Sequence, residues 1–194
     1  MGTSKALTCL HEESSYNMTQ VQSGRPDETE YAVYYGRYIG QIDGVDVVAV
    51  LEQQLQSALS LLREIDDRTA EFRYAPGKWT VKELIGHVID TERVFAYRAL
   101  AFARNDRTAL PGFDENSWAE NANYSSLPFA DILLEFETVR RSTVLLFRQM
   151  DDSAWTRRGN ANGKDMTTRS AAFVIAGHLQ HHLEILKSRY LSIH

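Results

Sequence analysis

Three histidines have spacings that suit a bound metal ion. His178 and His182 are four residues apart in a stretch without helix-breaking residues. Positions four apart on an α-helix differ by about 40° in rotation and about 6 Å along the axis, so the two rings can bind one ion. His87, in a separate segment, would add a third imidazole if the two helices pack together. Such a site keeps coordination positions open for water or substrate, which is typical of catalytic metals.

Two other interpretations of these histidines stay open at the level of spacing. His181 lies about 60° from His178 on the other side of the helix, so a His178/His181 pair is also compatible with one ion. A trio of hydrogen-bonded core histidines needs no metal at all. Two imidazoles on one apolar face favour the metal, because binding an ion offsets the cost of burying them.

Polar residues near His87 are candidates for supporting roles. Asp90 and Thr91 are close enough in sequence to orient its free ring nitrogen. Glu92 points about 140° away around the helix, which favours a salt bridge with an arginine of a neighbouring helix over a general base. No residue is assigned as catalytic from the sequence.

Two arginines are candidates for contact with an anionic substrate at the open end of the site, Arg98 and Arg189. Single arginines more often form surface salt bridges. Trp79 and Trp118 are interpreted as anchors of the core and of a loop.

The elements that must position these residues are helical. Apolar residues recur at three- and four-residue spacing in four stretches, which predicts helices over about 46–71, 80–105, 126–150 and 167–190. The second begins at Thr80, which forms a capping box with Glu83 after the Pro76-Gly77 break. No strand-like alternation of useful length is present. The sequence predicts an all-α four-helix bundle.

The connections constrain the arrangement of these helices. About ten residues join the first helix to the second, but roughly twenty join the second to the third, enough to cross the length of a bundle. An antiparallel pairing of helices two and four would bring His87 level with His178 and His182.

The chain is expected to form one domain over residues 31–194, preceded by a flexible extension over residues 1–30. Tyr31, Tyr34, Tyr35, Tyr38 and Ile39 form an aromatic segment, residues 31–39, which we call the strap and expect to pack on the domain.

Composition excludes several classes of partner. The net charge of −5 gives no general attraction to nucleic acid or anionic membranes, and no stretch is apolar enough to span a bilayer. The single cysteine, Cys9, argues against a disulfide framework and for a reducing compartment. We expect a cytoplasmic protein that does not bind nucleic acid or membranes.

Three segments resemble a known family, the DinB-like superfamily of bacterial four-helix-bundle metalloproteins. They are residues 76–93, with Trp79-Thr80 before the helix of His87, residues 110–114, and residues 176–186, with the late HxxxH. The resemblance covers about residues 31 to 190. It implies an up-down-down-up bundle, often a homodimer, that binds a divalent metal such as nickel or zinc through His87, His178 and His182. It thus selects His182 over His181.

The resemblance also implies a chemistry. Members of known activity are transferases and isomerases that use low-molecular-weight thiols. We therefore expect a metal-dependent thiol S-transferase acting on a small-molecule substrate. Hydrolysis at the same metal is the first alternative, and a non-catalytic metal-binding or dimerisation module is the second.

Overall fold

Four long helices dominate the computed structural model, which describes residues 23–192. They are α2, α4, α6 and α8, accompanied by four short helices and one hairpin. The bounds are α1 Gly36–Ile39, α2 Val47–Leu62, α3 Asp67–Ala70, α4 Val81–Ala103, α5 Glu115–Asn121, α6 Phe129–Arg148, α7 Asp152–Thr156, β1 Arg158–Ala161, β2 Lys164–Thr167 and α8 Thr168–Ile185. The predicted all-α four-helix bundle is confirmed.

The apolar core consists of two clusters stacked along the bundle, and they give the direction of each helix. One cluster combines the start of α2, the ends of α4 and α6, and the start of α8. The other combines the end of α2, the starts of α4 and α6, and the end of α8. The helices therefore run up, down, down and up. α4 and α8 are antiparallel neighbours, as the spacing of the histidines requires.

Side-chain caps determine where α4 and α8, the helices that carry the three histidines, begin. The Thr80 hydroxyl accepts a hydrogen bond from the Glu83 backbone N–H, and the Glu83 carboxylate accepts one from the Thr80 N–H. Thr167 and Ser170 form the same reciprocal arrangement at the start of α8. Both helices begin one residue after the cap, within a residue or two of the predicted starts.

Two predicted helices are too long. The first ends at Leu62 rather than near residue 71, because Asp66 caps the separate helix α3 by accepting a hydrogen bond from the Thr69 N–H. The third begins at Phe129 rather than near residue 126, because Pro128 is its N-cap. At the end of α8 the chain continues as a π-helical segment, Leu186–Leu191.

A hairpin missing from the prediction follows α7. Strands β1 and β2 pair antiparallel around a two-residue turn, Asn162-Gly163, in which both residues have positive φ. This is the backbone that an Asn-Gly turn favours in hairpins. The hairpin pairs with Leu110 of the long connection between α4 and α6, residues 104–128, through a parallel bridge to Ala161.

The strap packs on the bundle, as predicted. Its Tyr38 is buried, and its backbone lies so close to α8 that a β-carbon at Gly177 would be 2.1 Å from the Tyr38 carbonyl oxygen. Glycine at 177 is therefore required for the close approach of strap and helix.

Part of the predicted flexible extension is also held on the bundle. Residues 1–22, which include Cys9, lie outside the described residues, but residues 23–30 contact α8. The buried Glu30 carboxylate pairs with Arg169 and accepts a 2.8 Å hydrogen bond from the Thr167 hydroxyl. The attachment of residues 23–30 could not be predicted from their polar composition, because it depends on a contact between Glu30 and Arg169, which are far apart in the sequence.

A buried polar network connects the four long helices between the two apolar clusters. Arg140 of α6 donates to both carboxylate oxygens of Glu92 of α4 at 2.8–3.0 Å. It also donates to the Gln54 side chain of α2, whose amide group donates to the Ala176 carbonyl of α8. The salt bridge predicted for Glu92 is thus confirmed.

None of the helices within residues 23–192 combines the length and apolar character of a membrane-spanning segment.

Candidate metal centre

The three predicted histidines meet inside the bundle. The Nε2 atom of His178 lies 3.0 Å from Nε2 of His87 and 3.1 Å from Nε2 of His182. One ligand atom from each residue lies within 4.8 Å of the other two. All three side chains are buried, with 6–8% of their surface exposed. Helices α4 and α8 thus bring together rings from positions 91 residues apart in the chain.

The spacing of the nitrogens suits one ion. An ion at about 2.0–2.1 Å from each imidazole nitrogen places adjacent nitrogens about 3.0 Å apart in an octahedral shell and about 3.4 Å apart in a tetrahedral one. The separations from His178 to His87 and to His182, 3.0 and 3.1 Å, fall at the lower end of that range. The ring planes are inclined to each other by 65–77°, so the rings converge without stacking.

Burial keeps the three imidazoles neutral. It lowers the pKa of His87 to about 4 and that of His182 to about 3, with the neighbouring His87 adding to the effect on His182. The pKa of His178 is also lowered well below its usual value, first by burial and then by the other two rings. Neutral imidazole is the form that binds metal, so the donor set fits a divalent ion.

Aromatic side chains enclose the triad. The Trp79 ring packs on the His87 ring at 4.7 Å between centroids, and the Tyr38 ring contacts the His178 ring edge to face at 5.4 Å. A β-carbon at Gly86 would be 2.2 Å from the Tyr124 ring, so the residue before His87 must be small. Trp79 was predicted to anchor the core, but it is partly exposed and belongs to neither apolar cluster; its ring forms a wall of the site instead.

His181 lies outside the triad. Its ring contacts the Tyr38 ring at 5.6 Å and is 5.1 Å from the His182 ring, between centroids. It is partly exposed, and burial lowers its pKa. The geometry therefore places His182, and not His181, beside His87 and His178.

The expected orienting role of Asp90 and Thr91 is wrong. The Asp90 carboxylate accepts a 3.0 Å hydrogen bond from the Tyr124 hydroxyl and lies 3.7 Å from Arg93. The Thr91 hydroxyl has no hydrogen-bond partner among the described residues. The His182 Nδ1 atom is likewise buried without a partner in that part of the chain. Within residues 23–192, no acceptor therefore fixes the tautomer of His182.

A cavity of about 330 Å³ lies beside His178. Its walls come from α4, α8, the strap, the connection and the hairpin. Arg98 lines it, whereas Arg189 lies on the surface of the terminal π-helical segment. Sequence analysis missed the hairpin part of the wall, although Asn162-Gly163 is a strong hairpin signal.

Similarity to known proteins agrees with this geometry. A family model described as the DinB superfamily matches residues 50–186. The chain belongs to the DinB superfamily. Among solved structures, it is similar to YfiT from Bacillus subtilis, described as "a probable metal-dependent hydrolase with an unusual four-helix bundle topology". The TM-score is 0.64 at 20% identity, over 84% of this chain and 91% of YfiT, a likeness that shows the fold alone.

Among similar curated proteins, two carry the name "Putative metal-dependent hydrolase". The protein from Geobacillus thermodenitrificans is 23% identical over 110 residues, which is 57% of this chain and 62% of the relative's length. The protein from Bacillus cereus is 27% identical over 123 residues, or 62% of this chain and 70% of the relative. The chain thus spans less than two thirds of the Geobacillus protein.

Proposed function

We propose that this protein is a metal-dependent hydrolase whose ion is held by His87, His178 and His182. The observation that carries the proposal is the convergence of three buried, neutral imidazole nitrogens beside a cavity. The names of the relatives in Geobacillus and Bacillus support hydrolysis over thiol transfer.

The chemistry follows from the donor set. His87, His178 and His182 would hold a divalent ion without neutralising its charge, and the ion would supply Lewis-acid chemistry and lower the pKa of bound water to near neutral. Trp79 and Tyr38 restrict the orientation of the His87 and His178 rings by packing against them. The cavity gives a small substrate access to the His178 side of the triad.

Two carboxylates close to His87 in sequence are not free to act as a base. Glu92 is fully engaged by Arg140, and Asp90 accepts a hydrogen bond from Tyr124. Burial raises the pKa of Asp90, partly offset by Tyr124 and Arg93. We therefore assign no general base to these carboxylates of α4; activation of water would be the chemistry supplied by an ion held by the three histidines.

Hydrolysis of activated esters and amides tests the proposal. Protein loaded in turn with zinc, nickel and manganese is incubated with 4-nitrophenyl acetate and an acyl 4-nitroanilide. We expect a metal-dependent rate that His178→Ala lowers at least about tenfold. His181→Ala is the matched control, since it removes an adjacent imidazole outside the triad. A rate that is independent of metal, or equal in His178→Ala, would refute the proposal.

Thiol S-transfer, the function first expected from the sequence, stays a prediction for the same site. A small thiol added to cobalt-substituted protein would then produce a sulfur-to-metal charge-transfer band that His178→Ala abolishes. A band accompanied by consumption of an electrophile, without ester or amide hydrolysis, would favour the transferase. The expected homodimer, the choice of nickel or zinc and the cytoplasmic location also stay predictions.

A further inference from the structure

The cavity beside His178 contains a buried cation without a counter-ion. Arg98 of α4 is 2% exposed, and its Nη2 group donates a 2.9 Å hydrogen bond to the Pro111 carbonyl. No carboxylate among the described residues pairs with its guanidinium. Arg140, the other deeply buried arginine of the bundle, is neutralised by Glu92. Arg98 is therefore a charge that the described part of the chain does not balance.

The surroundings of Arg98 keep it charged and fixed in position. Its guanidinium lies 4.8 Å from the centre of the Phe95 ring and 5.9 Å from that of Phe113. Burial lowers its pKa, while the nearby Tyr35 phenol acts in the opposite direction. An arginine remains protonated under such conditions, because its usual pKa is far above neutral. The Pro111 carbonyl uses one of five N–H donors, which leaves others for a ligand.

Helix geometry aligns this cation with the triad. His87, Thr91 and Arg98 fall on one stripe of α4, since rotations of 400° and 1100° place the latter two within about 40° of His87. Arg98 is about 16 Å from His87 along the axis, and its long side chain shortens the span. Thr91 lies between them, is 4% exposed and lines the cavity, and its hydroxyl has no hydrogen-bond partner in the part of the chain that the structure describes.

The other charges at the cavity do not neutralise Arg98. Lys164 and Glu115 line it from the hairpin and from α5, and both side chains are exposed. Their opposite signs offset each other, and water screens exposed charges strongly. The buried positive charge thus dominates the interior, between walls formed by Tyr35, Phe95 and Phe113.

We propose that the substrate is a small organic anion whose carboxylate or phosphate pairs with Arg98. Its apolar body lies against the aromatic walls, its polar middle contacts the Thr91 hydroxyl, and its reactive group faces His178. This inference rests on the proposed function for the reaction, but the binding of the anion stands on Arg98 and the cavity. The cavity volume suits a molecule of this size.

The alternative is that Arg98 only fastens the connection through Pro111. The two roles differ in their response to ligand charge. A purely structural arginine gives no preference for an acid over its neutral amide, whereas a binding arginine gives a preference that depends on its own charge.

Binding of matched probes tests the inference. Phenylacetate, phenyl phosphate and phenylacetamide are titrated into the full chain, metal-loaded and metal-free, by calorimetry or NMR shift changes. We expect at least one anion to bind about ten- to a hundredfold tighter than the amide in both forms. Arg98→Gln should remove that preference. The anion that binds more tightly to the wild type shows whether the substrate is a carboxylate or a phosphate. Thr91→Val should weaken the binding of the anion and of the amide by the same factor.

The control is Arg104→Gln, which removes the same charge from an exposed position at the end of α4. It should leave the preference unchanged. If Arg98→Gln does not fold, the inference is tested with Arg98→Lys and with the affinities of the wild-type chain for the acid and for its amide. Equal binding of anions and amide overturns the inference.

A preference seen only with metal, and retained in Arg98→Gln, assigns the anion to the ion and also overturns the inference. A preference that depends on Arg98 in a protein that hydrolyses none of the tested esters or amides would refute the proposed function while supporting the anion site.

Discussion

The histidines of the triad are the residues on which metal binding should depend. We expect about one divalent ion per chain, and we expect His87→Ala, His178→Ala and His182→Ala each to lose most of it. Each change removes one of three converging nitrogens and leaves an incomplete site. Metal content after dialysis, measured by elemental analysis, tests this prediction.

The control for the triad is again His181→Ala, whose ring contacts Tyr38 instead of the converging nitrogens. It should retain the ion. Chelation should leave the helical circular dichroism largely intact, since two apolar clusters supply the core without metal. Full metal retention in any two triad variants would contradict the site. Loss of metal in His181→Ala, with retention in His182→Ala, would instead make His181 the third ligand.

At the scale of elements, the Arg140–Glu92 pair fixes how the long helices sit against one another. Glu92→Ala should lower the free energy of unfolding by about 3–5 kcal/mol, because it leaves the fully buried Arg140 without its counter-ion. The double variant Glu92→Leu with Arg140→Met should recover most of this loss. Urea unfolding monitored by circular dichroism measures the free energy of unfolding of the wild type and of both variants.

A surface pair on α6 provides the comparison for that measurement. Glu137 pairs with Arg141, whose side chain is largely exposed, so Glu137→Ala should cost less than about 1 kcal/mol. A comparably small cost for Glu92→Ala would show that the buried pair does not stabilise the bundle. If the double variant recovers its stability but binds metal more weakly, the role of the Arg140–Glu92 pair is to align the helices that carry the histidines.

The helices could be predicted because their signals are local. Apolar spacing and the Thr80 cap are contained in a few consecutive residues, and so is the HxxxH of α8. The early end of α2 was missed because its apolar spacing continues through Ile65, while the cap at Asp66 starts a new helix. The hairpin was missed because β1, Arg-Gly-Asn-Ala, has no alternation of apolar and polar residues.

The triad could be predicted, whereas the complete cavity could not. Three histidines of one chemical type at helical spacing are visible in the sequence, and α4 and α8 need only pack antiparallel to unite them. The cavity walls come from residues near 35, 113 and 162, which meet only through tertiary packing. The unbalanced charge of Arg98 is visible only when its neighbours in space are known.

At the scale of the molecule, the N-terminal segment is attached to α8 by a titratable group. Burial raises the pKa of Glu30, but hydrogen bonds from Arg169, the Asp27 N–H and Thr167 outweigh it and lower that pKa below 4.5. The contact therefore contributes its full stability above about pH 4.5 and loses it as pH falls through the lowered pKa. We expect the protection factors of the amide hydrogens in residues 23–30, measured by NMR and corrected for the intrinsic pH dependence of exchange, to fall in that acidic range.

Two variants isolate this effect. Glu30→Gln should show low protection factors in residues 23–30 at neutral pH and little further change in them with acid. Glu28→Gln, an exposed neighbour, should behave like the wild type. If the wild type and Glu30→Gln had the same protection factors in residues 23–30 at neutral pH, the ion pair would not hold the segment.

The ligands and the cavity walls belong to different kinds of segment. The three imidazoles project from long helices whose alignment is set by the core, whereas much of the wall is strap, connection and hairpin turn. Changes in length or sequence in those loops are tolerated more readily than changes in the helices. In the proposed hydrolase, such a division allows substrate preference to diverge during evolution while the three histidines are inherited intact.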